Sequence, residues 1–172
     1  MAIREILLLG NPLLRRKCGE VTDVPGPEVR RVIKDLRDTL GNFRATHGFG
    51  RGIAAPQIGV PEKIIFVNAD TPVCLINPKI IRRSGQSMVL WDDCFSFPDI
   101  LVKVRRNTGI RVRYCDERGN KQTLDATGGL SELLQHEIDH LNGMCAIDRA
   151  IDSRHIVLRS EWKKLTGGEQ SV

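Results

Sequence analysis

The chain has 172 residues, of which 41% are apolar and 27% are charged, and its formal net charge is +5. This length and balance are typical of one globular domain with a sizeable core, so we expect a single domain over residues 1–172. The sequence contains no apolar run of membrane-spanning length, and it begins with neither a signal-peptide nor a transit-peptide pattern. It therefore predicts a cytoplasmic protein with no membrane partner.

The first half of the chain predicts one helix and several short strands. Residues 27–43 begin with a proline that suits a first helical turn, and they carry apolar side chains on one face. A glycine-rich segment follows at residues 50–59, and its small residues Gly52, Ala54 and Ala55 indicate a close approach to another part of the protein or to a substrate. Short strands are predicted at residues 63–68, 73–76, 79–82 and 101–104.

The second half predicts a hairpin and two further helices. Residues 109–115 alternate apolar and arginine side chains, and the turn at 116–120 leads into residues 121–124, which indicates a hairpin. Leucine and isoleucine then recur at helical spacing from Leu130 to Leu141, with Gly143 as a stop signal. Residues 154–165 predict a final helix, and residues 167–172 a frayed end.

The second helix carries His136-Glu137-Ile138-Asp139-His140, in which two histidines lie one turn apart on the same face. This pattern is typical of a catalytic metal site in which the glutamate reaches a water on the metal. Since strands and helices are segregated, we expect an α+β fold with antiparallel or mixed β-sheets packed around this central metal-binding helix. A catalytic metal needs a third protein ligand, and Ala146 stands where a metzincin would have a third histidine, which excludes that class.

Two residues remain open as the third ligand. Glu161 is the downstream glutamate that a thermolysin-like peptidase would use. The five cysteines form no Cys-x-x-Cys pair, which argues against a disulfide framework and indicates a reducing compartment. Four of them are predicted to be small buried residues, namely Cys18, Cys74, Cys115 and Cys145. Cys94 differs because it lies in an irregular acidic and aromatic segment, where a thiolate can face a cleft.

Three ordered motifs resemble those of the peptide deformylase family. The family pattern Gly-x-Gly-(Leu/Ile)-Ala-Ala-x-Gln-x-Gly is complete at residues 50–59, and Gln-His-Glu-x-Asp-His-Leu-x-Gly is complete at residues 135–143. The central motif, Glu-Gly-Cys-Leu-Ser in the family, is altered here to Asp92-Asp93-Cys94-Phe95-Ser96. The resemblance covers nearly the whole chain.

The resemblance implies a set of site residues and a reaction. The implied metal ligands are Cys94, His136 and His140, holding Fe²⁺ in the cell, with Zn²⁺, Ni²⁺ or Co²⁺ possible in purified protein. Glu137 would act as the acid and base. The side-chain amide of Gln57 and the backbone N–H of Phe95 would donate hydrogen bonds to the formyl oxygen. The implied reaction removes the formyl group from the N-terminal methionine of newly made polypeptides in a bacterial cytoplasm.

The departures from the family pattern concentrate in the expected substrate cleft, whose predicted contacts are Arg51, Gly52, Asp93 and Leu133. Asp92 replaces a glutamate and is one methylene shorter, which predicts that its hydrogen bond to the metal ligand shifts or passes through water. Asp93 replaces glycine, Arg51 replaces an apolar residue, and Glu132 lies one turn before His136. These changes predict an altered substrate preference.

Other functions remain open beside a deformylase acting on nascent N-formylated polypeptides. They are an amidase acting on a different formyl or acyl amide, a thermolysin-like metallopeptidase, and a non-enzymatic metal-binding or ribosome-docking module. The last is disfavoured because a structural zinc site needs a fourth protein ligand. Basic pairs such as Arg30-Arg31 and Arg105-Arg106 are expected at the solvated surface. They would permit transient ribosome contact, but no motif predicts a specific nucleic-acid partner.

Overall fold

Two antiparallel sheets surround one helix in the computed structural model, which describes residues 3–166. The helices in this range are α1 (Pro27–His47), α2 (Gly128–Leu141) and α3 (Arg159–Thr166). The strands are β1 (Gly52–Ala54), β2 (Ile64–Asn68), β3 (Pro72–Arg83), β4 (Ser87–Asp93), β5 (Ile100–Asn107), β6 (Gly109–Cys115), β7 (Lys121–Thr127) and β8 (Ile156–Leu158). No helix in the described range is long and apolar enough to cross a membrane.

The larger sheet has the strand order β1-β2-β3-β6-β7 and is covered by a helix on each face. Successive side chains of a strand point to opposite faces, so β2 serves two apolar clusters at once. Ile64 and Phe66 pack with the apolar side of α1, whereas Ile65 and Val67 pack with α2. Because both faces of β2 are buried, its residues 64–67 are all apolar.

The smaller sheet has the order β4-β5-β8 and lies on the other side of α2. A third apolar cluster fills this layer and includes Cys94, Phe97, Val102, Val104 and Cys145. Because α2 lies between the two sheets, its residues 131–141 are all buried. The predicted α+β fold with antiparallel sheets around a central helix is confirmed.

Two predicted strands and one predicted helix differ from the structure. The strands predicted at residues 73–76 and 79–82 are one strand, β3, with an irregular register between Ile76 and Lys79. Within it, Asn77 has a φ of 51° and its side chain binds the backbone of Val21 through both its oxygen and its nitrogen. The Asn77 side chain thus supplies hydrogen bonds at the point where pairing between β3 and β6 is interrupted, and the strand continues beyond it.

The C-terminal part of the fold also departs from the prediction. Residues 154–158 are not the start of a helix. They form a 3₁₀ turn and then β8, whose residues Ile156 and Val157 pair with Val102 and Leu101. β-branched side chains suit a strand, and this long-range pairing is invisible in helical spacing. Strand β4 was not predicted, and the predicted frayed end at 167–172 lies outside the described residues.

Candidate active site

Helix α2 brings the two motif histidines together in the interior. The Nε2 atoms of His136 and His140 are 3.2 Å apart, as expected for side chains four residues apart on one face. The helix is followed by Asn142 and Gly143, and Gly143 has a φ of +73°. A Cβ at this glycine would lie 2.5 Å from the carbonyl oxygen of Arg15, so only glycine fits the close approach.

Cys94 reaches the same point from the end of β4. Its Sγ is 3.3 Å from His140 Nε2, and one donor atom from each of Cys94, His136 and His140 lies within 4.8 Å of the others. One sulfur and two imidazole nitrogens form a donor set that suits iron or zinc. By contrast, Glu161 is exposed on α3 and pairs with Lys164 at 2.6 Å, and it belongs to neither candidate metal group in residues 3–166.

Asp92 orients the first histidine directly. Its Oδ1 lies 2.8 Å from His136 Nδ1, and its Oδ2 accepts a hydrogen bond from Arg106 Nη2 at 2.9 Å. The contact is therefore direct and not water-mediated, because β4 runs close enough to α2 for the shorter side chain. A carboxylate on Nδ1 favours the tautomer that leaves Nε2 free to bind a metal.

Arg106 is a residue beside the site that the sequence did not indicate. Its guanidinium is 3% exposed and lies between Asp92 and Asp139, so the expectation that the pair Arg105-Arg106 is solvated was wrong for its second member. Burial alone would raise the pKa of Asp92, but the charges of His136 and Arg106 outweigh burial and lower it. The only sign in the sequence that Arg106 is buried is the alternation of β5, because adjacent side chains of a strand point to opposite faces.

Glu137 is buried beside the three predicted metal ligands, Cys94, His136 and His140. Its Oε2 has no hydrogen-bond partner within the part of the chain that the structure describes. Burial is the main reason why the pKa of Glu137 is raised to about 7, and the nearby charges of Asp92 and Glu132 raise it further. A buried carboxylate oxygen without a protein partner is suited to a water, a metal or a substrate.

Gln57 and Phe95 place two hydrogen-bond donors at this centre. Ala54 donates its backbone N–H to Gln57 Oε1 at 2.9 Å, which fixes the amide so that Nε2 lies 3.6 Å from Cys94 Sγ. Phe95 follows Cys94 in the chain, and its backbone N–H has no acceptor among residues 3–166. Both donors stand next to the predicted metal ligands.

A cleft of about 460 Å³ opens onto these groups and is lined by all four predicted substrate contacts, Arg51, Gly52, Asp93 and Leu133. Helix α3 also lines it, which the sequence did not indicate. Arg159 of α3 donates to Asp93 Oδ2 at 2.7 Å and lies 4.6 Å from the centre of the Phe49 ring. The added charge of Asp93 is therefore already paired with a cation.

The fold and this donor set define a metallohydrolase centre, and comparison with known proteins identifies its family. A model of the polypeptide deformylase family matches residues 3–155. The peptide deformylase of Rhizobium meliloti is 36% identical over 154 residues, which cover 86% of this chain and 85% of that protein. The peptide deformylase of Brachyspira hyodysenteriae is 36% identical over 172 residues, covering 95% of this chain and 89% of that protein.

Solved structures of peptide deformylases are also similar to this chain. A peptide deformylase from Synechococcus elongatus in complex with actinonin is 31% identical and has a TM-score of 0.82, covering 100% of this chain and 92% of that one. The chain belongs to the polypeptide deformylase family. The predictions of this family and of a metal-dependent enzyme of deformylase type are confirmed.

Proposed function

We propose that this protein, acting as one catalytic domain over residues 1–172, removes the formyl group from the N-terminal methionine of nascent polypeptides in the cytoplasm. The products are formate and a free amine. One observation carries this proposal, namely the convergence of Cys94, His136 and His140 beside the unpartnered carboxylate of Glu137. The names of the matching relatives support the same reaction.

The three convergent donors would hold one divalent metal, Fe²⁺ in the cell, with Zn²⁺, Ni²⁺ or Co²⁺ possible in purified protein. When bound there, such an ion lowers the pKa of water and polarises the formyl oxygen. The residues fit this role, because a thiol and two imidazoles are ligands that suit iron or zinc, and the contact of Asp92 with His136 Nδ1 leaves Nε2 on the side of the other two donors.

Glu137 and the two fixed donors would carry the proton transfer and the charge. Glu137 takes a proton from the attacking water and returns it to the departing amine, the usual work of a general base and acid. As the formyl carbon becomes tetrahedral, negative charge develops on its oxygen. The Gln57 amide and the Phe95 N–H then stabilise that charge.

The test is formate release from a formyl-methionyl peptide by protein loaded with Fe²⁺ without oxygen, or with Ni²⁺, Co²⁺ or Zn²⁺. Glu137→Gln should keep the metal and lower kcat by about 10²–10⁴-fold, the usual contribution of a general acid and base. Glu161→Ala is the matched control and should change neither metal content nor rate. A dependence of metal binding on Glu161 would support the thermolysin-like alternative, and no formate under any loading would refute the proposal.

We also propose transient contact with the ribosome, which the net charge of +5 and the exposed Arg30 support. Such contact would be an attraction to phosphates without sequence specificity, so it should weaken steeply with salt. Cosedimentation with ribosomes at low and at physiological salt measures it. Failure to cosediment at low salt would refute this contact and leave the reaction untouched.

A further inference from the structure

The cleft wall next to the metal ligands contains an ion pair that the proposed mechanism does not use. Arg51 Nη2 donates to Glu132 Oε2 at 2.7 Å, and Arg51 Nη1 donates to the Gly129 carbonyl at 3.3 Å. The Glu132 side chain is 5% exposed and the Arg51 side chain 36% exposed. Glu132 is thus buried in the wall, while part of the guanidinium faces the cleft.

This pair lies in the cleft close to the groups that the proposed mechanism uses. Glu132 has a carboxylate oxygen within 4.8 Å of ligand atoms of Asp92 and His136. A Cβ built at Gly52, next to Arg51, would lie 2.7 Å from Glu137 Oε1. Because only a few covalent bonds separate the formyl carbon from the first side chain, a formyl group held at Glu137 places that side chain against the pair.

An apolar side chain suits this wall poorly. It would remove water from a charged pair without replacing the lost hydrogen bonds, and burying unsatisfied charge is costly. Within the described residues, the Arg51 guanidinium makes only the two hydrogen bonds given above, although it offers five N–H donors. The wall therefore offers donors to an acceptor on the substrate. Asp93 does not compete for Arg51, because it is paired with Arg159.

Building on the proposed deformylase function, we propose that the Arg51–Glu132 pair selects formylated chain ends whose first side chain is unbranched at its β and γ carbons and carries a neutral acceptor oxygen on its δ atom. Two side chains of about the length of methionine meet this description. One is methionine sulfoxide, in which the sulfur of methionine carries one added oxygen and the apolar thioether becomes a polar group. The other is glutamine, whose carboxamide also donates an N–H to Glu132.

The test compares kcat/KM for four formyl tripeptides that differ only in the first residue, using formate release by the metal-loaded full chain. The first residues are methionine, norleucine, methionine sulfoxide and glutamine. At least one acceptor-bearing peptide should exceed norleucine and methionine by about tenfold, since a site built to hydrogen-bond rejects analogues that lack the partner. If kcat/KM is higher only for the sulfoxide peptide, or only for the glutamine peptide, the result identifies which side chain supplies the acceptor.

Other results overturn the inference in distinguishable ways. Equal kcat/KM values for the four peptides, or a higher value for the norleucine peptide, would mean that the pair only forms part of the cleft wall. The deformylase function would then still stand. No formate from any of the four peptides would refute the function itself, and the inference with it.

Variants and a binding measurement separate recognition from turnover. The double variant Arg51→Met/Glu132→Leu removes both charges together, so neither is left unpaired, and it should reverse the preference towards norleucine. Arg111→Met/Asp125→Leu removes an exposed pair elsewhere and should keep the wild-type preference. Calorimetry of the wild-type protein with deformylated peptides should show about tenfold tighter binding of the sulfoxide or glutamine peptide than of norleucine. Equal affinities would contradict the proposal even if the double variant does not fold.

Discussion

Gly52 is a residue of the larger sheet that lies close to Glu137, the proposed general acid and base. A Cβ at this position would lie 2.7 Å from Glu137 Oε1 and 3.1 Å from Leu133 Cδ1. Both of these atoms are at the far ends of flexible side chains, so Gly52→Ala should fold and displace the carboxylate. Because a displacement of about 1 Å in a catalytic group costs about 10²-fold, we expect a loss of that order in kcat. Formate release measures the loss.

The expected change in stability for Gly52→Ala is within about 1 kcal/mol, since overpacking is partly offset by the lower backbone entropy of the unfolded alanine chain. Urea unfolding measures it. Gly85→Ala is the matched control, because a Cβ there meets nothing within 4 Å. If Gly52→Ala retained full kcat, the position of Glu137 would not limit catalysis.

At the level of elements, Arg106 connects a strand of the smaller sheet to the central helix. Its guanidinium bridges Asp92 at the end of β4 and Asp139 on α2, and all three side chains are buried. Arg106→Leu would leave the Asp92 carboxylate with His136 alone. Breaking such a buried pair costs about 3–5 kcal/mol, and urea unfolding should show a loss of this size.

Arg105→Leu is the matched control for Arg106, since the neighbouring arginine is exposed and its side chain bonds only to Ser87 among the described residues. A surface change of this kind should alter the free energy of unfolding by about 0.5 kcal/mol or less. Equal losses in the two variants would mean that the bridge between β5 and α2 does not stabilise the protein.

The turn between β6 and β7 should make stability depend on pH in the acidic range. Asp116 accepts the backbone N–H groups of Arg118 and Asn120, each at 2.9 Å. Burial raises the pKa of Asp116, but these bonds and those from the side chains of Asn120 and Gln122 together outweigh burial and lower it to about 2. A lowered folded pKa stabilises the protein above the unfolded pKa of about 4. That stabilisation is lost as the pH falls through about 2.

Asp116→Asn should therefore show a shallower loss of stability than wild type between pH 4 and pH 2, as measured by urea unfolding across that range. Asp70→Asn removes an exposed carboxylate from the turn between β2 and β3 and should keep the wild-type slope. Identical slopes for wild type and Asp116→Asn would contradict the assigned role of this turn.

Elements with a local pattern could be predicted from the sequence, and elements formed by distant pairing could not. Helix α2 and the β6–β7 hairpin have regular spacing and clear end signals, and both lie where predicted. Strand β8 depends on pairing with β5, more than fifty residues earlier in the chain, and its short apolar run was read as part of a helix. Strand β4 mixes polar and apolar residues and has no such local signal.

The candidate site shows the same division. His136, Glu137 and His140 lie within one helical motif, so their proximity follows from helix geometry. That Cys94 joins them was indicated by the resemblance, and the structure places its sulfur 3.3 Å from His140. The burial of Arg106 and the contact of α3 with the cleft depend on how separate layers pack, which no spacing in the sequence encodes.

At the scale of the whole molecule, the proposed metal would join two layers of the fold. Cys94 follows β4 of the smaller sheet, whereas His136 and His140 belong to α2, which packs on the larger sheet. An ion bound to all three links these layers in the native state, and the unfolded chain does not bring the ligands together. Binding to the native state alone therefore stabilises the protein by mass action.

Removal of the metal should accordingly lower the melting temperature. With free metal at 100 times Kd the stabilisation is about 2.7 kcal/mol, which corresponds to a shift of about 5–10 °C for a chain of this size. Calorimetry with and without a chelator measures the shift. Cys94→Ala lacks one ligand, so its melting temperature should respond much less to the chelator. If wild type and Cys94→Ala responded equally, these three residues would not form the metal site that connects the two layers.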